Sequence, residues 1–490
     1  MQDNNTNFKR SLSLMDGILI VAGSMIGSGI FIVSADMSRQ VGSAGWLIAI
    51  WLITGIMTIF AAISYGELAA MFPKAGGQYV FLKEAYGRLV GFLYGWSFFS
   101  VIQTGTIAAV GVAFSKFAGH FIPALEMTDE NVLLTLGSDF KLYPAQLLSI
   151  ALVILLTWVN SRGVKEGKLI QRVFTFTKLI SLFGLIIFGF LLAFNTEIWN
   201  ANWSTGFEMM FTTNEGGTWS PFQSVDSMTL GLGLVAAAMV GSVFSSVAWE
   251  NVTFIAGEIK NPQRNVGLSL LFGTLIVTAV YVLINLMYLA VLPLNPALAP
   301  NGTGDTIAFA PYDRVATAAS LPIFGAEGAT VIAIMIMIST FGCNNGLILT
   351  GARVCYTMAQ DNLFFKKAGT LNKNAVPGAA LWVQCIWTSV LCLSGKYGLL
   401  LDYVVFVTLI FYILTIIAVF KLRIKHPELP RPYKAFGYPL VPIIYILLAT
   451  AMALGLLITK WTTCAFGLIV VLIGLPMYYL FMRNQKRSEV

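Results

Sequence analysis

The chain has 490 residues, 57% of them hydrophobic and only 11% charged, against roughly 25% charge in a soluble domain; this excludes a soluble enzyme on a single anchor and describes a polytopic membrane protein. The net charge of +7 suits basic residues on the cytosolic leaflet and calls for no nucleic acid. The two histidines, the five cysteines within apolar stretches (Cys343, Cys355, Cys385, Cys392 and Cys464) and the absence of a G-x-x-x-x-G-K-[ST] run argue against a haem, a metal site, a disulfide framework or a nucleotide-driven pump, so no cofactor is expected.

A membrane-spanning helix needs about 20 mostly apolar residues. Twelve stretches qualify as spans: 14–36, 44–71, 88–120, 144–160, 170–194, 229–256, 267–293, 327–358, 378–395, 398–421, 438–459 and 462–482. Residues 1–13 are expected to form a short cytosolic N-terminus carrying Lys9 and Arg10, and the first apolar run lacks a small-residue cleavage site. It therefore reads as a retained span, not a signal peptide.

Span 1 contains its own break. Gly23, Gly27 and Gly29 lie with Ser24 and Ser28 at its centre, and each glycine costs a helix interior about 1 kcal/mol relative to alanine. Three of them at mid-membrane favour an unwound turn whose backbone groups can grip a ligand. The N–H groups of Ser28, Gly29 and Ile30 would open the following half-helix and attract a carboxylate. The carbonyls of Met25 and Ile26, flanking Gly27, would accept from an α-ammonium. The alternative is small-residue helix packing, which needs fewer glycines and serines than this run supplies.

Span 5 carries Lys178. Its side chain either snorkels to the cytosolic face or places an ammonium where another transporter would hold a sodium ion. The 195–228 connection is polar, with several tryptophans and glycines. Span 6 then shows the second interruption, Ser245–Ser246–Val247–Ala248–Trp249–Glu250–Asn251. Phe244 would close over a ligand as an aromatic lid, and the Ser245, Ser246 and Val247 backbone would complete the cradle for an amino group. Glu250 is an ionisable residue inside a span, costing about 2.5–3.5 kcal/mol on insertion scales; it is either a proton carrier or a structural partner.

In span 8, Asn344 and Asn345 are expected to break the helix with Gly342 and Gly346, tying spans together. Arg353 would snorkel or pair with Asp16, Glu67 or Glu258. Lysine and arginine concentrate in the even-numbered connections, including 422–437, and in the 483–490 tail. The odd-numbered ones instead carry Glu126, Asp129, Glu130, Asp139, Glu197, Glu208, Glu215 and Asp305. Both termini are therefore expected in the cytosol. Breaks five spans apart divide the chain into two inverted repeats, 14–194 and 229–421, with 438–482 as two added spans.

These residues resemble a known family. GSMIGSGIF (Gly23 to Phe31), YGELAAMFPKAGGQYVFL (Tyr65 to Leu82), Trp249 with GEIKNPQRN (Gly257 to Asn265), FGCNNGLILTGARVCYTMAQDNLF (Phe341 to Phe364) and HPELPRPYKAFGYP (His426 to Pro439) are together similar to the amino acid–polyamine–organocation (APC) superfamily. The L-type amino acid transporter branch and its bacterial relatives stand nearest. The resemblance implies an all-α protein of twelve transmembrane helices, a LeuT-like five-plus-five inverted repeat plus two helices. It implies amino acid transport by alternating access, with the substrate held by spans 1 and 6. It also implies that Lys178, in an F-T-x-x-K string from Phe174, replaces a sodium ion. Three positions depart from the family pattern. Val247 stands where relatives often have glycine, which would favour small substrates. Glu250 stands where the nearer relatives have asparagine. No cysteine lies between His120 and Pro144, so the disulfide-linked glycoprotein subunit of animal relatives is not expected as a partner.

The sequence thus points to a sodium-independent exchanger or uniporter of small neutral L-amino acids, in a bilayer that is expected to be a bacterial inner membrane. Proton symport through Lys178 or Glu250 is the alternative, and a non-transporting amino acid sensor is the alternative of another class. No nucleophile–base pair suggests an enzyme.

Overall fold

Each apolar run forms a helix, and the polar connections form the rest. The computed structural model describes residues 10–136, 140–215, 218–299, 305–394 and 397–488. Lys9, Asp139 and the side chains of Lys165, Lys168, Glu215, Lys486 and Arg487 lie outside what is described. Among the described residues, ten helices are long and apolar enough to cross a membrane. The two halves of span 1 make an eleventh, bent by 42° at its break. The ninth expected span, Gly378–Ser394, is apolar but shorter.

Span 1 starts where Ser13 caps it. The Ser13 hydroxyl accepts from the Asp16 N–H (3.3 Å), and the Asp16 carboxylate accepts from the Ser13 N–H (2.9 Å), a reciprocal arrangement that satisfies two helix-end donors. Helix runs over Leu14–Met25, stops, and resumes over Gly29–Val41. Span 6 is interrupted more severely. Met228–Ser246 is helical, Ala248 adopts a left-handed conformation (φ 68°), and only a single turn, Asn251–Phe254, follows.

Two expectations are corrected. Asn344 and Asn345 do not break span 8, which runs as one element over Val315–Gln360 and kinks instead at Gly325 (φ 73°). The helix survives because both carboxamides are satisfied sideways. Asn345 accepts from Asn160 of span 4 (2.9 Å), and Asn344 lies 3.2 Å from the Ile107 carbonyl and the Gly111 N–H of span 3. They are the interhelical ties expected of them, without the break. Span 3 departs too: between Arg88–Ser97 and Gln103–Ala118 it widens to a π-turn at Phe98–Ile102. There the indole of Trp387 donates to the Ser100 carbonyl (2.8 Å), taking up a backbone acceptor beside the irregular turn.

The only strands among the described residues are short antiparallel pairs in two connections. Leu134–Leu136 faces Phe140–Leu142, Met210–Phe211 faces Gln223–Ser224, and Asn214–Glu215 faces Thr218–Trp219. The last two belong to the connection between spans 5 and 6. It lies on the end of span 1 through Thr212 N–H to the Arg39 carbonyl (3.0 Å), and on span 2 through Gly45 N–H to the Gly206 carbonyl (3.1 Å).

Candidate substrate site at the two helix breaks

The breaks in spans 1 and 6 meet. A Cβ on Gly29 would lie 2.0 Å from the Ser245 hydroxyl and 3.1 Å from the Ser245 Cα, so the two backbones approach as only glycine permits. Gly27 faces span 8 less tightly, 3.0 Å from its would-be Cβ to the Cys343 sulfur. Met25, Ile26, Gly27, Ser28, Gly29 and Ile30 of span 1 are all buried, as are Phe244, Ser245, Ser246 and Val247 of span 6. Gly29 and Ile30 open a half-helix, where N–H groups have no carbonyl one turn back to bind. Phe244 lies within the final turn of the first helix of span 6, and the Val247 N–H donates to its carbonyl (3.3 Å).

Lys178 does not snorkel. Its side chain is fully buried, and Nζ donates to the carbonyls of Gly23 (2.8 Å) and Ile26 (2.7 Å). Both carbonyls belong to the end of the first half-helix, where intrahelical donors run out. The ammonium therefore does for this turn what the next turn of helix would otherwise have done.

Tyr281 of span 7 was not legible as a site residue. Its hydroxyl lies 3.0 Å from the Met25 carbonyl and 2.9 Å from the Ser245 carbonyl. One hydroxyl hydrogen is thus offered to two acceptors, one in each broken span. Only its polar tip inside an apolar span could have signalled it. Cys343 is buried, and its thiol donates to the Ser24 carbonyl (3.2 Å). The carbonyls assigned to a substrate ammonium, Met25 and Ile26, thus already have partners, although each carbonyl retains a second lone pair.

Glu250 is buried at the span 6 break and accepts from the Tyr412 hydroxyl (2.6 Å). Tyr412 in turn meets Trp249 and Tyr65, with ring centroids 5.4 and 6.0 Å away. Among the described residues no cation pairs with Glu250.

On the face where Ser11 and Leu12 lie, several ties close the molecule below the site. Arg353, fully buried, lies 3.4 Å from Glu258; of the three carboxylates offered to it by the sequence, this is the one it meets. Glu67 is taken by Arg423 (2.8 and 2.6 Å), and Asp16 by the Ser13 cap. The chain start straps across the same place, with Ser11 and Leu12 N–H groups on the Glu258 carbonyl (2.9 and 3.0 Å) and Lys260 N–H on the Leu12 carbonyl (2.8 Å). On the opposite face a chamber of about 490 Å³ opens above the site. Asp313, in the connection before span 8, accepts there from Arg39 (2.9 Å) and Lys116 (3.1 Å). Burial pushes its carboxyl up, and the two cations more than reverse this, leaving it below the ordinary aspartate range.

A family model described as "Amino acid permease" matches residues 12–488. Asc-type amino acid transporter 1 of Mus musculus is 28% identical over 486 residues, 98% of this chain and 83% of the relative. Large neutral amino acids transporter small subunit 2 of Homo sapiens is 28% identical over 482 residues, covering 98% and 82%. Serine/threonine exchanger SteT of Bacillus subtilis (strain 168) is 28% identical over 493 residues, covering 100% of both chains.

Proposed function

Because the chain belongs to the amino acid permease family, an integral membrane permease and not an enzyme, we propose that it moves small neutral L-amino acids by alternating access, without sodium, as an exchanger or uniporter. The observation that carries this reading is Lys178, whose ammonium sits on the Gly23 and Ile26 carbonyls at the break in span 1. A fixed positive charge there supplies what a bound cation would, so no cation need travel with the substrate.

The substrate carboxylate rests on the N–H groups of Ser28, Gly29 and Ile30, at the start of a half-helix whose dipole favours an anion. Its ammonium takes the remaining lone pairs of Met25 and Ile26, with the Ser245, Ser246 and Val247 backbone opposite. Tyr281, shared between the two broken spans, is the donor such an ammonium would supplement or displace. Phe244 closes over the pocket. Val247 narrows its wall, which favours small side chains; the serine/threonine exchanger among the relatives agrees in size and in mode. A ligand shifts an alternating-access equilibrium only through its different affinities for the two states, and a cradle made by two broken helices differs between them whenever those helices move.

The termini face the cytosol, and the membrane is a bacterial inner membrane. With no cysteine between His120 and Pro144, no covalently linked glycoprotein subunit is part of the assembly. A second reading, proton symport, is favoured by Glu250, a buried carboxylate held by a tyrosine hydroxyl and, among the described residues, by no cation.

Uptake of labelled alanine, serine, leucine and arginine into proteoliposomes tests this, with and without internal amino acid, at equal pH and without sodium. Uptake of the small neutral amino acids that needs internal amino acid marks an exchanger; uptake that does not marks a uniporter. Uptake only with an inward proton gradient favours the second reading. Binding without flux under any gradient would identify a sensor and sink the transport reading.

A further inference from the structure

A groove of about 430 Å³ lies on the outside of the bundle between spans 3, 5 and 8. Its lining residues are all apolar, among them Phe114 and Ala118 of span 3, Phe174 of span 5, and Met337 and Phe341 of span 8. Its rim is apolar and exposed: Phe121, Ile122 and Ile334 border it, with Val173 and Phe176 beside Phe174 on span 5. On membrane-spanning helices such a surface faces hydrocarbon. None of these side chains offers a hydrogen bond, so an amino acid or an ion placed here would lose its hydration without return.

The groove has a direction. Phe121 and Ile122 lie just past the end of span 3, at the membrane boundary on the chamber side. Phe114 to Phe121, and Ile334 to Phe341, each cover two helical turns, about 10 Å, against a hydrocarbon half-thickness of about 15 Å. The groove therefore runs from that boundary toward the midplane, along the path of an acyl chain in that leaflet. At its inner end the rings of Phe174 and Phe341 stack, with centroids 5.0 Å apart.

This inner end backs onto the break in span 1. A Cβ on Gly342 would overlap the Phe174 Cβ, so spans 5 and 8 touch there. Phe174 is one turn from Lys178, whose ammonium holds the Gly23 and Ile26 carbonyls (2.8 and 2.7 Å). Phe341 stands two residues before Cys343, whose thiol holds the Ser24 carbonyl (3.2 Å). The two rings that end the groove thus belong to the helix segments that hold the break.

We propose that the groove binds one acyl chain of a membrane phospholipid, chain end inward against Phe174 and Phe341, and that its occupancy braces the break in span 1. Rings that face an open cleft lack packing partners on that side, and the chain supplies them. The site itself does not depend on the transport reading; its effect on uptake rests on that reading.

Photolabelling of the full-length protein in phosphatidylethanolamine–phosphatidylglycerol vesicles tests it. The probes are phosphatidylglycerols carrying a diazirine either at the end of one chain or at its first carbons. The chain-end probe is expected to label Met337 and Phe341, and the other probe Phe121 and Ile122, in each case above Leu472, an exposed residue of span 12. Ile334→Trp fills the groove from an exposed position, where a substitution disturbs folding little; it should lose the groove labelling and keep that of Leu472. Wild-type uptake of labelled serine should fall when straight-chain vesicles are replaced by methyl-branched phytanoyl ones, whereas Ile334→Trp should transport equally in both. Groove labelling no stronger than that of Leu472, or the same with either probe, would overturn the site. A wild type indifferent to branching, or a variant as sensitive as the wild type, would overturn its effect on transport. No uptake by any form in either lipid would sink the transport reading and leave the site to be decided by the labelling.

Discussion

Lys178 shows how one side chain can stand in for backbone. Where span 1 unwinds, the carbonyls of Gly23 and Ile26 lose their helical donors, and in a bilayer no water replaces them. The ammonium supplies both bonds from a neighbouring helix. Hydrogen bonds to a charged group are worth about 1.5–3 kcal/mol. Lys178→Ala is therefore expected to lower the thermal midpoint in detergent and to abolish uptake. If the variant keeps full uptake in proteoliposomes, the lysine is a structural buttress and the sodium-independent reading loses its main support. Gly29 marks the opposite case, where a side chain must be missing so that spans 1 and 6 can touch.

At the scale of the element, the two broken spans differ in how they break. Span 1 loses about one turn and resumes for thirteen residues, whereas span 6 keeps one turn after its gap. Part of the difference lies at Ala248, held at φ 68°. For an L-residue that conformation costs roughly 1–2 kcal/mol. Ala248→Gly should remove the strain, offset in part by the greater freedom of glycine in the unfolded chain, for a net gain of about 0.5–1 kcal/mol. Thermal unfolding in detergent measures it, and a lowered midpoint would show that the alanine methyl contributes packing worth more than the strain. Span 8 teaches the converse lesson. A run of asparagine and glycine stays helical when neighbours in spans 3 and 4 satisfy the amides.

The whole molecule is closed on one face and hollow on the other. Arg353 with Glu258, together with the strap at Ser11 and Leu12, forms the closure. Separating a buried ion pair by removing one partner costs about 3–5 kcal/mol. Glu258→Gln should therefore loosen this face, and the amides of Ser11 and Leu12 should exchange hydrogen faster than in the wild type. Unchanged exchange would mean that the strap holds without the ion pair. On the hollow face, Asp313 links spans 1 and 3 to the start of span 8. Its pKa is depressed in the folded protein, so its contribution is fully present above the unfolded value of about 3.9 and fades as pH falls through the folded one. Asp313→Asn should lower the melting temperature at pH 7, and the gap to the wild type should close below about pH 4. A gap that persists in acid would assign the loss to packing and not to charge.

Composition alone determined that this is a membrane protein, because a chain with so few charges has no other solvent. Gly23, Gly27 and Gly29, and the polar run from Ser245 to Asn251, determined where the spans would fail, because helix propensity and the cost of polar groups in lipid are local properties. Tertiary structure decided what those failures touch. No spacing rule joins Lys178 to Ile26, Tyr281 to Met25, or Glu258 to Arg353, which lie 152, 256 and 95 residues apart. Whether a buried lysine snorkels, or an asparagine pair breaks its helix, depends on which partner the packed bundle brings within 3 Å. The chamber also lay beyond the sequence: Asp36 and Arg39 of span 1, Lys116 of span 3, Asp313, Asp402 of span 10 and Lys460 line it from five separate parts of the chain, and only the packed bundle sets them around one space.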